Sequence, residues 1–411
     1  MEISKIIFTL VFMLSISMVQ TDELEKEFRV FIKRFEKEYK SEEEYNYRFD
    51  IFKQRYRVIE EFNKKGASYK KGINYFSDLT PKERFSFLGN SDRFNEDLPE
   101  IDDTKELADE IQSLPLSDYF LNPDDFLKRH PLLFRFPLKR RLRIDWTYLI
   151  WWIMMRNVCQ SKDWHAEELM TDVRNQGSCG SCWAFAAVGL VEAMYKIQYG
   201  LTYNLSEQEL VDCDGTNNGC SGGNMHRALT YIKDNNIYTE ASYPYVASDE
   251  TCSIKDTIKY SLNTINRTPR RSTRAFIDQL CESPVTVYYY VADDFFDYSS
   301  GIYDGADCEG ETGVNHGVVA VGHHINTTTP FVKFKNSWGS WWGENGYFRM
   351  KLEQKLVTDG TCNMLKYASQ HRNMRIYLSI VHQFLLKDNN IMYIFLNNAM
   401  TVCCMYTHHD C

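Results

Sequence analysis

The residue best suited to nucleophilic chemistry in this chain is Cys182, in the segment Gly-Ser-Cys-Gly-Ser-Cys-Trp. The thiolate is the nucleophile, and a free thiol with a pKa of about 8.5 is mostly protonated in acid, so such a cysteine needs a positive potential beside it. The apolar stretch from Ser181 to Tyr199, which ends at Gly200, predicts a helix that begins near Cys182. Because a helix N-terminus carries partial positive charge, this position favours the thiolate.

Three further residues complete a candidate site for peptide hydrolysis by a thiol. Imidazole stabilises a thiolate and later protonates the leaving amine, and His316 precedes a short apolar run of the kind that forms a strand. The side-chain oxygen of Asn336 is the candidate acceptor for one ring nitrogen, which leaves the other nitrogen for the sulfur, and Trp338 is placed to shield that bond from water. The side-chain amide of Gln176 and the backbone N–H of Cys182 predict an oxyanion hole.

Two kinds of periodicity indicate the elements that position these residues. Aromatic residues recur at three- and four-residue steps between positions 22 and 65, which predicts amphipathic helices. Alternation in Gly72–Asp78 predicts a short strand, and further β-type runs follow at 285–291, 318–321, 331–334 and 347–350. A polar linker with several prolines at 89–143 separates the two regions. The chain therefore falls in the α+β class.

Composition and the N-terminus restrict the functional classes. The chain has 411 residues with 44% hydrophobic and 25% charged residues, which suits a globular protein with a sizeable core. Its formal net charge of −9 argues against a nucleic-acid binder. Lys5 and the apolar run that follows predict a secretory signal peptide, because the run is shorter than the ~20 residues of a membrane span. An uncleaved anchor is the alternative.

Cysteine usage points to disulfide bonds rather than to a metal. Twelve cysteines in a chain with an export signal fit an oxidising compartment. Cys179 and Cys182 form one Cys-x-x-Cys pair, but no second pair and no His-x3-His follows at zinc-finger spacing. Neither a metal nor a cofactor is expected.

Together these motifs resemble those of the papain family of cysteine proteases, and the chain is similar to its cathepsin L group. The segment around Cys182 matches the family's cysteine signature, and His316 lies within the interval of about 130–150 residues that follows it. The N-terminal helices resemble the family's inhibitory propeptide through Glu44, Arg48, Phe52, Ile59 and Asn63, and then through Gly72, Asn74, Phe76 and Asp78. One position departs from the pattern, since Arg55 stands where the family carries Asn.

The resemblance implies an architecture and an activity. It implies a papain-like two-lobed α+β fold, with a helical lobe and an antiparallel β-barrel-like lobe, preceded by a helical propeptide. The implied regions are a signal peptide at 1–20, an inhibitory propeptide at 21–88, a linker and activation region with an irregular insertion at 89–162, a peptidase domain at 163–370 and a C-terminal extension at 371–411. The implied activity is that of a cysteine endopeptidase made as an inactive precursor. Protonation of Asp78 and neighbouring carboxylates is expected to release the propeptide near pH 4–5.

Disulfide pairing is likewise taken from the resemblance. The family's three bridges imply Cys179 with Cys220, Cys213 with Cys252, and Cys308 with Cys362. Cys182 stays free, as a nucleophile must. Cys281 precedes a β-type run and is expected to be a reduced core residue.

The resemblance also implies a substrate groove. Gly222 and Gly223 resemble the loop that pairs with substrate backbone, because glycines let an extended peptide approach as an added strand. The remaining residues expected to bind substrate are Met225, Tyr288, Val314, Gly317, Trp342 and Tyr367. Tyr288 and Tyr367 are bulky where many relatives carry small residues, so we expect a shortened pocket that disfavours large aromatic side chains. The alternative is that one tyrosine swings out and leaves an ordinary apolar pocket.

Partners and location follow from the same reading. Protein and peptide substrates, the chain's own propeptide as inhibitor and inhibitors of the cystatin type are the expected partners of a monomer without nucleic acid or a membrane span. The expected location is the secretory pathway, ending in a lysosome or outside the cell. A catalytically inactive papain-like binding protein and a propeptide-type inhibitor module are the rival hypotheses.

Two stretches fit no family pattern. The Asp-Trp pair typical of the mature N-terminus occurs twice, at Asp145-Trp146 and at Asp163-Trp164, with the apolar stretch 147–162 between them. About forty further residues follow position 370. Each stretch is either a real insertion or translated non-coding sequence.

Overall fold

A computed structural model describes residues 23–89, 158–254, 259–262, 271–366, 391–396 and 399–404. The predicted signal peptide, nearly all of the predicted linker, the first Asp-Trp pair and Tyr367 lie outside these residues. Most of the described chain belongs to one compact unit that ends at Tyr377, and a second unit begins at Leu378.

The N-terminal region is helical, as the aromatic periodicity predicted. Helix α1 covers 23–34, α2 covers Glu42–Lys64, and the short α3 covers Pro81–Phe85. Ser41 caps α2, because its hydroxyl accepts a hydrogen bond from the Glu44 N–H at 3.2 Å. The facing sides of α1 and α2 bury an aromatic cluster in which the ring centroids of Phe28 and Phe52 lie 5.0 Å apart.

The prediction of a strand at Gly72–Asp78 was wrong. Strand β1 covers Tyr69–Lys71, before this segment, and Tyr75–Asp78 forms a 3-10 turn. The turn begins at Asn74, whose side-chain oxygen accepts from the Phe76 N–H at 2.9 Å and whose own N–H donates to the Ser77 hydroxyl at 3.0 Å. Such side-chain bonds to the backbone compete with strand pairing, and alternation alone does not reveal them.

The helical lobe is built around one buried helix. Helix α4 covers Cys182–Tyr199, α5 covers Glu207–Cys213 and α6 covers Met225–Asn235, while α7, Thr273–Glu282, packs on the sheet. Every residue of α4 from Cys182 to Tyr195 is buried, as expected for a helix that is apolar on all sides. It ends at Gly200, whose φ of 67° lies in the left-handed region that glycine adopts without strain.

The second lobe is a largely antiparallel sheet. Its strands are β2, Ser161–Asp163; β3, Val285–Tyr289; β4, Tyr298–Tyr303; β5, His316–His324; β6, Phe331–Lys335; and β7, Tyr347–Lys351. The order is β1-β4-β7-β6-β5-β2, β3 also pairs with β5, and only the β4–β7 pair is parallel among these described strands. The N-terminal region thus contributes β1 as an edge strand, with Tyr69 opposite Gly301. This arrangement confirms the predicted α+β fold with a helical N-terminal region.

The C-terminal unit is described only by a hairpin. Strand β8, Ile391–Leu396, pairs antiparallel with β9, Ala399–Cys404. In the described parts of the chain, no helix combines the length and the apolar character that crossing a bilayer requires.

Candidate active site

Cys182 is the first residue of α4 and is completely buried. The Gly317 N–H donates to its sulfur at 3.4 Å, and the backbone N–H groups of Gly89, Trp183 and Cys182 itself also act to lower the pKa of the thiol. Among the cysteines from position 159 to position 362, it is the one outside a disulfide. The predicted position at a helix start is therefore combined with several N–H donors that favour a sulfur anion.

The approach to Cys182 is fixed by a tight crossing of two loops. Cys179 forms a disulfide with Cys220, and the Gly180 N–H donates to the Cys220 carbonyl at 2.9 Å. A Cβ at Gly180 would lie 2.6 Å from that carbonyl oxygen, so only glycine fits. This crossing holds the start of α4 against the glycine-rich loop.

His316 and Asn336 meet across neighbouring strands. His316 opens β5 and Asn336 follows β6, and the His316 Nε2 lies 2.8 Å from the Asn336 Oδ1. Trp338 covers this pair, with its ring centroid 4.7 Å from that of His316. The other ring nitrogen, Nδ1, is buried and has no hydrogen-bond partner in the structure. The contact that the sequence predicted between Asn336 and the imidazole is thus present, at the Nε2 atom.

Two residues that were not predicted to belong to the site, Ser337 and Tyr245, hydrogen bond to Gln176. Its side-chain oxygen accepts from the Ser337 hydroxyl at 2.6 Å, and its backbone carbonyl accepts from the Tyr245 hydroxyl at 2.7 Å. The Ser337 N–H also donates to the Asn336 side chain at 2.9 Å. Ser337 therefore links the two amides. Its position directly after Asn336 was the one signal in the sequence that could have suggested this.

The N-terminal region runs through this site. The Gln176 side-chain amide donates to the Phe87 carbonyl at 2.8 Å, and the Gly89 N–H donates to the Asn315 carbonyl at 3.1 Å. The Leu88 carbonyl lies 2.8 Å from where a Cβ on Gly180 would stand. Backbone of residues 87–89 thus occupies the space in front of Cys182.

Enclosure by this segment suppresses ionisation at the site. Burial raises the pKa of Cys182 to about 11, although the surrounding N–H groups act to lower it. Burial also lowers the pKa of His316 to about 4, against the opposing effect of its bond to Asn336. With the segment in place, both groups are neutral between these values, because a low-dielectric site penalises the charged forms.

A charge cluster joins the N-terminal region to the β lobe. Arg55 lies 2.8 Å from Asp293 and 2.9 Å from Asp297, and Lys71 lies 2.6 Å from Asp294. Arg84, fully buried, adds contacts of 3.4 Å to Asp293 and 3.6 Å to Asp297. Burial raises the pKa of Asp297 to about 6 in spite of these cations. We call this set the Arg55 cluster: Arg55, Lys71, Arg84, Asp293, Asp294 and Asp297.

An aromatic contact lies beside the cluster. The Phe76 ring centroid is 4.9 Å from that of Phe296, 5.4 Å from Trp338 and 5.3 Å from Trp341. Phe76 therefore covers the tryptophan that shields His316, and it couples the N-terminal region directly to the catalytic candidates.

The structure places the residues predicted to bind substrate at different locations. Met225, Tyr288 and Val314 are fully buried, and Met225 and Tyr288 lie against Gly317, the residue after His316. Trp342 is also fully buried and donates to the Phe296 carbonyl at 2.9 Å, whereas Trp341 meets the N-terminal region. Gly222 and Gly223 lie in the loop before α6, and a Cβ at Gly223 would lie 2.6 Å from the Trp183 ring. Tyr367 lies outside the described residues.

Four disulfides join cysteines between positions 159 and 362, and one of them corrects the expectation for Cys281. Cys179 pairs with Cys220, Cys213 with Cys252, and Cys308 with Cys362, as the resemblance implied. Cys281 is bonded to Cys159 and is not a reduced core residue. The expectation failed because the partner precedes the region that was compared with the family. Within the described residues, Cys159, Cys281 and His323 form the one group close enough to hold a metal, but a disulfide offers no thiolate ligands.

Comparisons with known proteins agree with this geometry. The family model described as papain family cysteine protease matches residues 158–371, and the cathepsin propeptide inhibitor domain matches residues 28–84. The thiol protease aleurain of Arabidopsis thaliana is 34% identical over 82% of this chain and 82% of its own length. Chymopapain of Carica papaya is 33% identical over 80% of this chain and 81% of its own.

The chain belongs to the papain family of cysteine proteases. This papain-family protease also resembles solved precursors. Recombinant stem bromelain precursor matches with a TM-score of 0.63 and 29% identity, covering 84% of this chain and 97% of that one. Digestive procathepsin L 3 of Tenebrio molitor matches with a TM-score of 0.63 and 26% identity, covering 85% and 98%. The N-terminal region of this protease is therefore an inhibitory propeptide, and the chain is a zymogen.

Proposed function

We propose that this protease cleaves internal peptide bonds of proteins with Cys182 as nucleophile and His316 as its acid and base. The observation that carries the proposal is the His316–Asn336 bond of 2.8 Å beside a free, buried cysteine whose sulfur accepts the Gly317 N–H. Asn336 orients the imidazole, and the unbonded Nδ1 takes the thiol proton and returns it to the leaving amine.

Gln176 supplies the second half of the site. Its side-chain amide stabilises the oxyanion of the tetrahedral intermediate together with the Cys182 N–H, and it donates to a propeptide carbonyl in the zymogen. Ser337 is a positioning residue for this amide through its bond to the Gln176 oxygen. The donor needed for catalysis is therefore engaged by the inhibitor until the propeptide leaves.

The propeptide inhibits the zymogen in two ways, by blocking access to Cys182 and by suppressing ionisation of the catalytic pair. Residues 87–89 fill the space at Cys182, and burial keeps the thiol and the imidazole neutral. Release of the propeptide admits water and lets the pair form a thiolate and an imidazolium, which is the reactive state. Asp78, which accepts from Lys37 at 2.8 Å and Tyr39 at 2.9 Å, ties the propeptide turn to α1 and its following loop. We propose that acid starts self-processing near pH 4–5, where protonation of propeptide carboxylates begins to weaken ion pairs such as that of Arg48 with Glu83.

The proposed setting is an acidic or extracellular compartment of the secretory pathway, a lysosome or vacuole included. Four disulfides among the described residues support passage through an oxidising compartment. Monomeric action, protein substrates and inhibition by proteins of the cystatin type complete the proposal.

Acid activation of purified precursor tests it. The wild-type precursor and a Cys182→Ala variant are brought to pH 4.5, and N-terminal sequencing and a dipeptide-amide assay follow the products. We expect a shortened, active enzyme from the wild type and an intact, inactive precursor from the variant. Self-processing by the purified variant would show that Cys182 is not the nucleophile.

A further inference from the structure

Tyr288 occupies a position directly across from the active-site strand. It lies on β3, where it pairs with Gly317 on β5, the residue after His316. A Cβ added to Gly317 would lie 3.3 Å from the Tyr288 ring and 3.2 Å from the Met225 sulfur. The space beside Gly317, where another residue would carry a side chain, is thus bordered by the Tyr288 ring and the Met225 thioether. Gly317 is also the residue whose N–H donates to the Cys182 sulfur.

The tyrosine ring is fixed in this place by its hydroxyl. The Met225 N–H donates a short hydrogen bond to the Tyr288 hydroxyl oxygen, and that hydroxyl lies 3.4 Å from the Gly223 carbonyl. Tyr288 and Met225 are both completely buried. The ring has therefore not swung out to solvent, and it cannot do so without breaking a buried bond at the start of α6.

Met225 and Tyr288 border this space, and Val314 stands two residues before His316 in the chain. All three side chains are fully buried, and Gly223, whose loop we expect to pair with substrate backbone, lies at its edge. A phenyl or isobutyl group entering between Gly223 and Gly317 would meet the tyrosine ring, whereas a methyl or isopropyl group reaches less far.

We infer that Tyr288 forms the floor of the pocket for the residue two positions before the cleaved bond and restricts it to small side chains such as alanine and valine. This inference rests on the proposed function, since it describes the substrate of the same site. A hydrophobic pocket discriminates by roughly 10–200-fold for a misfit of about one methylene, and an aromatic ring exceeds the space by more than that. Phenylalanine is therefore strongly disfavoured.

A series of dipeptide amides tests the pocket. Each carries arginine before the reporter and alanine, valine, leucine or phenylalanine before the arginine, and kcat/KM is measured on acid-activated enzyme with active sites counted by a thiol-directed epoxide. We expect the valine substrate to exceed the phenylalanine substrate at least tenfold. Tyr288→Ala is expected to raise the phenylalanine-to-valine ratio at least tenfold, while Tyr288→Phe, which keeps the ring, leaves phenylalanine disfavoured.

The outcomes separate this inference from the proposed function. If the wild type prefers phenylalanine, or if Tyr288→Ala folds and leaves the ratio unchanged, Tyr288 does not set the floor. If Tyr288→Ala does not fold, the substrate profiles of the wild type and of Tyr288→Phe test the inference. A wild-type preference for phenylalanine would still overturn it. If the activated wild type cleaves no peptide and takes up no epoxide, the proposed function itself fails.

Discussion

The side-chain amide of Gln176 donates a hydrogen bond of 2.8 Å to the carbonyl oxygen of Phe87. One residue belongs to the candidate oxyanion hole and the other to the inhibitory propeptide. A substrate carbonyl and this propeptide carbonyl cannot use the same donor together. Activation is therefore a question of what holds Phe87 in place, and most of that support lies away from Cys182.

Replacing Arg55 by asparagine, the residue the family carries there, is expected to loosen the propeptide. The Arg55 side chain is 13% exposed and contacts Asp293 and Asp297, so its loss leaves buried carboxylates with fewer cations. Lys71 and Arg84 remain, and we therefore expect roughly 1–3 kcal/mol of weaker docking, less than for a fully broken buried pair. At pH 7 a thiol-directed epoxide should label Cys182 in the Arg55→Asn precursor about 5- to 150-fold faster than in the wild type.

Lys53→Asn is the matched control for this measurement. Lys53 lies on the same helix but pairs with Asp50 of that helix at 2.6 Å, and the Asp50 side chain is 63% exposed. Such a pair contributes little, so labelling should stay at the wild-type rate. Equal rates for Arg55→Asn and Lys53→Asn would mean that the Arg55 cluster does not hold the propeptide.

Glu83→Gln is expected to shift activation to higher pH. Two bonds of 2.7 Å from Arg48, opposed by burial and supported by Thr80, lower the pKa of Glu83 to about 2. A carboxylate with a lowered pKa stabilises the fold above its ordinary pKa of about 4.5, and that contribution is lost as the pH falls toward 2. Because the Glu83 side chain is 39% exposed, we expect only about 1 kcal/mol after solvent screening. Self-processing of the variant should be several-fold faster at pH 5, and the difference from the wild type should shrink steadily as the pH falls toward 2.

The control for Glu83 is Glu25→Gln, which removes an exposed pair with Arg29 and should leave the pH profile unchanged.

The pKa of Asp297 is shifted in the opposite direction from that of Glu83. Burial raises its pKa to about 6, so proton uptake by this group favours the folded precursor as the pH falls. If Asp297→Asn, rather than Glu83→Gln, moved the activation profile upward, this assignment of the acid-sensitive group would be wrong.

Removing the Cys159–Cys281 bridge is expected to reduce stability without changing the chemistry. The bridge joins residues 122 positions apart, although the Cys179–Cys220 and Cys213–Cys252 bridges already shorten the loop between them. We therefore expect the Cys159→Ser/Cys281→Ser enzyme to lose about 2–4 kcal/mol in its free energy of unfolding. Denaturant titration measures the loss. An unchanged midpoint, or loss of kcat in a folded variant, would contradict a purely structural role.

The active-site cluster could be predicted because each member stands in a short local motif. Cys182 begins an apolar helix, His316 begins a strand, and Asn336 directly follows one. The turn at Tyr75–Asp78 was missed because side-chain capping by Asn74 overrode the alternation that predicted a strand. Local signals therefore identified the chemistry and failed where a side chain redirected the backbone.

Contacts between residues far apart in the chain could not be predicted from the sequence. Arg55 was visible as a departure from the family pattern, but its partner Asp297 lies 242 residues away and no local signal connects them. Cys281 was assigned as reduced for the same reason, since Cys159 lies 122 residues before it. The position of Tyr288 relative to Gly317 likewise depends on the register of β3 against β5.

Covalent labelling tests the central claim most directly. Precursor and acid-activated enzyme are treated with a thiol-directed epoxide at pH 6, and the modified peptide is identified by mass spectrometry. Burial raises the pKa of Cys182 to about 11 in the precursor, so the precursor should react slowly and the activated enzyme fast, with one label per molecule at Cys182. His316→Ala should slow the activated enzyme, matured by an added protease, at least a hundredfold. Fast labelling at another cysteine, or equal rates with and without His316, would contradict the pairing of this thiol with this imidazole.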